Sequence, residues 1–186
     1  METTEKIVES YVRYVKGWAT ISNIKCGGQL EIDLLAIDPK TLNRYHIESG
    51  VHTGGFSKLT ARQFDPNKLK VRVEKPKQRR TLGFFRDKKL SAPQVIEKLK
   101  QYGFEPGNYT KIIVTWGWEK GIPEQAREAG IVLWDFRALL KEIASAFSNE
   151  SKYFTDDTLR TIQLFCRAMN EDDDGSARIP EAGVSV

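Results

Sequence analysis

Gly28-Gln-Leu-Glu-Ile-Asp-Leu-Leu-Ala-Ile-Asp38, followed after a short turn by Arg44-Tyr-His-Ile-Glu-Ser-Gly50, is the stretch that decides how this chain folds. Leu30, Ile32 and Leu34 alternate with Glu31, Asp33 and Leu35, the period-two pattern of a half-buried strand. Tyr45, Ile47 and Ser49 alternate with His46, Glu48 and Gly50 on the return, and Pro39-Lys-Thr-Leu42 supplies the turn. If Asp38 pairs with Asn43, Asp33 falls directly across from Glu48. Side chains in that relation have Cβ atoms about 5 Å apart, and like charges there are destabilising. A fold keeps two such carboxylates when something cationic sits between them, and a hard divalent metal with oxygen ligands is the expected occupant. Glu31 shares the face of Asp33.

Outward from this hairpin, Ile7, Val8, Tyr11, Val12, Tyr14 and Val15 recur at helical spacing, with Thr3 or Thr4 as the N-cap and Gly17 as the stop. A short strand is expected over Ile21 to Cys26. Beyond the hairpin, Pro66, Pro76 and Gly83 break any period between Asp65 and Lys89, with a short strand expected at Thr81 to Phe85. Ser91 and Pro93 open a helix running through Leu99 to Tyr102. Lys111 to Trp116 is a continuous apolar run of the kind that marks a buried, parallel strand. A short helix from Pro123, a second buried strand from Ile131 to Trp134 and a helix capped by Asp135 follow. A final helix is expected within 151–170, amphipathic from Thr155 to Met169, and then a disordered acidic tail over 171–186. This order gives an α/β fold, a central mixed β-sheet flanked by helices. Residues 1–150 form the main domain.

The chain has 186 residues, enough for one domain with a real core, and its 40% hydrophobic and 29% charged residues are ordinary for a globular protein. Cys26 and Cys166 lie far apart with no metal-ligand spacing, which argues against a zinc site or a disulfide framework and for a cytoplasmic setting. No apolar run reaches the roughly 18 residues of a membrane span, and no signal peptide is evident. The net charge of +4 is unevenly spread. Residues 68–89 carry ten basic side chains against Glu74 and Asp87, a local +8 that leaves −4 for the rest. Such a patch is the electrostatic footprint of a polyanion partner. Arg79-Arg80 followed by Phe84-Phe85-Arg86 mixes cations with aromatics, which suits phosphate contact with base stacking. Lys75, Lys77, Arg79, Arg80 and Arg86 are the candidate nucleic-acid contacts.

Gly28-x-Leu-Glu-Ile-Asp33, the turn, and His46-Ile-Glu48-x-Gly50 together resemble the core of the PD-(D/E)XK, or restriction-endonuclease-like, nuclease superfamily. The block Ile112-Ile-Val-Thr115…Gln125-Ala126…Gly130-Ile-Val-Leu-Trp-Asp135…Leu139-Leu140 is similar to the second half of its Mrr-like and Holliday-junction-resolvase-like members. The resemblance covers residues 3–145, with 57–90 as a basic insertion. It implies a restriction-endonuclease-like sheet and a metal-dependent endonuclease that hydrolyses DNA with Mg²⁺, or Mn²⁺, held by Asp33 and Glu48. Glu9 matches a helix glutamate found in many members. Where the superfamily carries a lysine, this chain has Gly50. In some members the lysine role has moved, and Lys58 is the principal candidate, with Lys25, His46 and His52 as others. Nucleases of this class commonly work in pairs, so a homodimer through the Thr155 to Met169 helix is a further expectation. The alternative is a catalytically inactive protein of the same fold that binds nucleic acid or a protein partner.

Overall fold

The computed structural model describes residues 3–51, 58–148, 154 and 156–171. Helix α1 (Thr3–Ser10) runs into a π-helical turn, Tyr11–Val15, and Gly17, at φ 73°, ends the run as expected. Strands β1 (Ala19–Lys25), β2 (Glu31–Ile37) and β3 (Arg44–Ser49) form an antiparallel meander. The β2–β3 turn is built on Asp38. Its carboxylate accepts from Lys40 N and Thr41 Oγ1, both at 2.9 Å, and its own N–H donates to Asn43 O at 3.0 Å. An aspartate that satisfies the next turn's donors fixes hairpin register, and Leu34 pairs with Ile47 and Leu35 with His46. That is the register that sets Asp33 against Glu48.

Strand β1 meets β2 less regularly. The ladder passes from Ser22↔Leu34 to Ile24↔Ile32, and Asn23, the residue between, has a left-handed φ of 54°. Asparagine tolerates that conformation better than most residues. Across from it, strict alternation on β2 fails. Ile32 packs in the same cluster as Leu35, while Leu34 packs on the opposite side of the sheet.

The segment 58–90 is not irregular. It contains a 3₁₀ turn (Pro66–Lys70), two short helices, α2 (Lys75–Gln78) and α3 (Leu82–Phe84), and a π-helical segment, Phe85–Lys89. The strand expected at Thr81 to Phe85 is therefore helical. Thr81 caps it, accepting from Phe84 N at 3.1 Å, while Leu82 and Phe85 bury themselves against β4 and α5. Helix α4 (Pro93–Gln101) starts at Ala92 and not at Ser91, whose hydroxyl instead meets Lys111 Nζ. Then come β4 (Tyr109–Thr115), α5 (Ile122–Glu128), β5 (Ile131–Asp135), α6 (Phe136–Ser148) and α7 (Asp157–Glu171). Asp135 accepts from Arg137 N at 2.9 Å, as a cap should. The expected acidic tail lies beyond Glu171, outside the described residues.

The sheet order is β1-β2-β3-β4-β5, antiparallel from β1 to β3 and parallel from β3 to β5. Helices α1, α6 and α7 cover one face around Leu34, Ile47, Ile112 and Val114. The other face is covered by α4 over β1 and β2, and by α3, α5 and the π segment over β4 and β5. This is the helix-flanked mixed sheet that the sequence pattern implies. No helix of the described residues is long and apolar enough to cross a membrane.

Candidate active site

Asp33 and Glu48 face each other where β2 begins and β3 ends, beside the carboxyl end of β4. Both are buried, at 6% and 0% exposure. Between them lies an ammonium group, that of Lys89. Its Nζ is 2.9 Å from Asp33 Oδ1, 2.7 Å from Glu48 Oε2 and 3.1 Å from the Glu31 carbonyl oxygen. Two of its donors make hydrogen bonds, to Asp33 Oδ1 and the Glu31 carbonyl, and Glu48 Oε2 stands at ion-pair distance. The remaining carboxylate oxygens are also engaged. Asp33 Oδ2 accepts from Ser49 N at 2.8 Å, and Glu48 Oε1 lies 2.8 Å from His46 Nε2.

Burial dominates the electrostatics. It pushes the Asp33 carboxyl up to about 7, helped by the Glu48 charge and opposed by Lys89. Burial likewise lifts Glu48 to about 7 against the pull of Lys89. For Lys89, burial works to lower the pKa, but the two carboxylates outweigh it and raise the ammonium above its usual range. Burial holds His46 down to about 3, so at neutral pH its ring is uncharged, with Nε2 hydrogen-bonded to Glu48. Two acids whose charged forms are this costly hold together because a buried cation lies between them.

The position of Lys89 explains Gly50. A Cβ built on Gly50 would stand 2.6 Å from the ζ-carbon of Phe85, closer than carbon atoms approach. The Phe85 ring occupies the space where a side chain at 50 would begin, and four residues later the same π segment delivers Lys89 to the carboxylates. The bare backbone at Gly50 and the delivery of Lys89 by 85–89 are thus one packing arrangement. The chain is pinned on both sides of Lys89 by buried Phe85 and Leu90, joined by a Leu90 N to Phe85 O bond of 2.8 Å.

Of the residues expected from sequence, Asp33 and Glu48 are brought together and His46 joins them. Glu9 is elsewhere. Its carboxylate accepts from Thr20 Oγ1 at 3.0 Å and pairs with Arg13 at 3.7 Å. The helix glutamate beside Asp33 is Glu5, one turn earlier, and carboxylate oxygens of Glu5, Glu31 and Asp33 lie within 4.8 Å of one another. Lys58 is exposed beside Gly117 and makes no ion pair among the described residues; the ammonium between Asp33 and Glu48 is that of Lys89. Lys25 is paired with Glu31 at the surface, and His52 lies outside the described residues. Neither Lys89 nor Glu5 stood out in the sequence. Lys89 was one of ten basic residues in its window, and Glu5 one of two glutamates on an amphipathic helix.

The basic candidates divide. Arg79 lines the cleft over Asp33 and Lys89. Lys77 and Arg80 line a separate groove with Arg62 and Glu119, and Lys77 pairs with Glu74 at 2.8 Å. Arg86 pairs with Asp87 at 2.6 Å in a third groove, and Lys75 is exposed on α2. The carboxylates of Glu5, Glu31 and Asp33 offer hard oxygen donors of the kind that divalent cations take, while Glu48 faces Lys89. No protein-family model matches the chain, and neither do the curated proteins or the solved structures that were searched.

Proposed function

We propose that this chain is a metal-dependent nuclease that hydrolyses DNA phosphodiester bonds, with Asp33, Glu48 and Lys89 as its reactive centre. The observation that carries the reading is the buried Asp33–Lys89–Glu48 trio at the ends of β3 and β4. It contains the two acids and the lysine that the PD-(D/E)XK resemblance calls for, although the lysine comes from a different segment. Asp33 would hold the cation, Mg²⁺ or Mn²⁺, with Glu5 and Glu31, whose carboxylates converge with its own, while Glu48 keeps Lys89 in place beside it. When bound, such an ion supplies Lewis acidity and neutralises charge at the phosphate.

The residues themselves do the rest. Lys89, held charged by its partners, donates to the phosphate oxygen or to the attacking water and stabilises the developing negative charge. His46 fixes the Glu48 carboxylate through Oε1, so that Oε2 faces Lys89. The basic residues of 68–89 hold the polyanion by charge.

A second reading has one specific observation in its favour. Lys89 is held by hydrogen bonds to Asp33 and the Glu31 carbonyl and by an ion pair with Glu48, so the trio also stands as a structural ion-pair network in a binding protein without catalysis. The two readings part on plasmid DNA incubated with the purified protein in Mg²⁺ or Mn²⁺, beside Asp33→Ala, Glu48→Ala and Lys89→Met. Cleavage that each substitution abolishes supports the enzyme. Salt-sensitive gel shifts with no cleavage in either metal support the binding protein.

A further inference from the structure

We infer that the cleft above Asp33 and Lys89 selects single-stranded DNA over an intact duplex, seating a phosphodiester on Arg79 and a base on Phe84. This rests on the proposed function and names the substrate form of that same site. The reacting groups lie at the floor of the cleft: side-chain exposure is 16% for Lys89, 6% for Asp33 and zero for Glu48. Above them the cleft has a volume of about 220 Å³, lined by Glu5, Glu31, Gly50, Arg79, Phe84 and Phe85. That is smaller than the roughly 300 Å³ at which pockets for drug-sized ligands begin. A cleft of that size has room for a part of one strand, whereas a duplex can present only its outer backbone at the rim. Bending a duplex toward a buried floor carries a deformation cost that an unpaired strand does not. Enzymes that must reach into a stack solve this by acting on unpaired nucleotides.

The wall has the chemistry for such a strand. Arg79 makes no ion pair among the described residues, whereas Lys77 and Arg86 are tied to Glu74 and Asp87. A guanidinium with its fork free suits a phosphate. Phe84 is half-buried and held in place by T-shaped contacts with Phe64, 5.9 Å away, and Phe85, 5.7 Å away. A ring fixed in this way at a cleft wall is a stacking platform, and aromatic stacking is tolerant of base identity.

The test is fluorescence anisotropy of a short labelled oligonucleotide, single-stranded or annealed to its complement, with the full chain in EDTA. The single strand is expected to bind about fivefold or more tightly than the duplex, the smallest gain that one stacked base gives. Phe84→Leu should bring the two to within about twofold. Arg79→Gln, an exposed substitution that leaves the fold in place, should weaken the single strand and lower its salt slope by about 0.7. Arg62→Gln, in the separate groove, should leave the ratio unchanged. Equal or tighter duplex binding overturns the inference, as does a preference that neither Phe84→Leu nor Arg79→Gln alters. Cleavage in Mn²⁺ separates the two claims. Internal cleavage of duplex as fast as of single strand refutes the inference and leaves the nuclease standing. A Phe84-dependent preference for single strands with no cleavage of either refutes the nuclease and supports the inference.

Discussion

Replacing Lys89 with methionine keeps a stem of similar length and removes the one cation between two buried carboxylates. In the native protein the ammonium lies 2.9 Å from Asp33 and 2.7 Å from Glu48, groups that expose 6% and 0% of their side chains. Removing one partner of a buried ion pair costs about 3–5 kcal/mol, because the remaining charge has no compensation. For a chain of this size each kcal/mol moves the melting temperature by about 2–4 °C, so a fall of roughly 6–20 °C is expected. The loss should depend on pH in a defined sense. Both carboxyls titrate near 7, against 3.8 and 4.5 in their ordinary state. Their protons are thus bound more tightly in the folded chain, and the stability this confers is present at low pH and lost as pH rises through about 7. Below that range the acids are neutral and need Lys89 less. Thermal melts followed by circular dichroism should therefore show a small deficit for Lys89→Met near pH 5 and the full deficit near pH 8. A deficit below about 1 kcal/mol, or the same deficit at both pH values, would refute the view that Lys89 neutralises this pair.

Gly50→Ala should destabilise the protein by about 1–3 kcal/mol, since its Cβ meets the Phe85 ring at 2.6 Å and a packed core yields poorly; an unchanged urea midpoint would show that the ring has room. Gly50→Lys alone should not support cleavage in a Lys89→Met background, whereas adding Phe85→Ala to open the space should recover part of it. Calorimetry with Mn²⁺ should find affinity reduced about tenfold or more by Glu5→Gln and unaltered by Glu9→Gln, because only Glu5 reaches Asp33; the reverse order would return Glu9 to the site. The metal-free protein should lose stability between about pH 5 and 7, as the Asp33 and Glu48 shifts require. His46 acts in the opposite sense, its contribution present above its ordinary 6.5 and lost as pH falls toward 3. A urea midpoint rising steadily from pH 5 to 7 would contradict that sign.

The arrangement at Gly50 shows how one segment can carry two roles that sequence reading keeps apart. Residues 68–89 look like a solvated basic patch, and much of their charge does lie at the surface in pairs such as Arg86 with Asp87. Yet Thr81, Leu82 and Phe85 are buried. The Thr81 cap turns the chain into a helix, and the wider π turn that follows carries Lys89 inward. π-Helical turns are uncommon and recur at functional sites. The neighbouring Glu5 is a similar case, since helix periodicity places it and Glu9 on nearby turns without saying which of them reaches β2.

What the sequence determined by itself is what local chemistry dictates. An aspartate-centred turn sets the β2–β3 register, and that register sets Asp33 across from Glu48, even though the apolar alternation read along β2 breaks at Ile32. The continuous apolar run of β4 likewise marks a strand whose second half is buried on both faces, whereas β5, at the sheet edge, leaves Val132 exposed. The need for a cation between two facing carboxylates also follows from sequence, because it depends only on their pairing. Which cation it is, and from where, was decided by tertiary structure. Lys89 is 41 residues from Glu48 in the chain, and no periodicity or motif connects positions so far apart. Their contact exists because Phe85 packs where Gly50 leaves room. Complementarity of that kind is a property of the packed core and not of either segment alone.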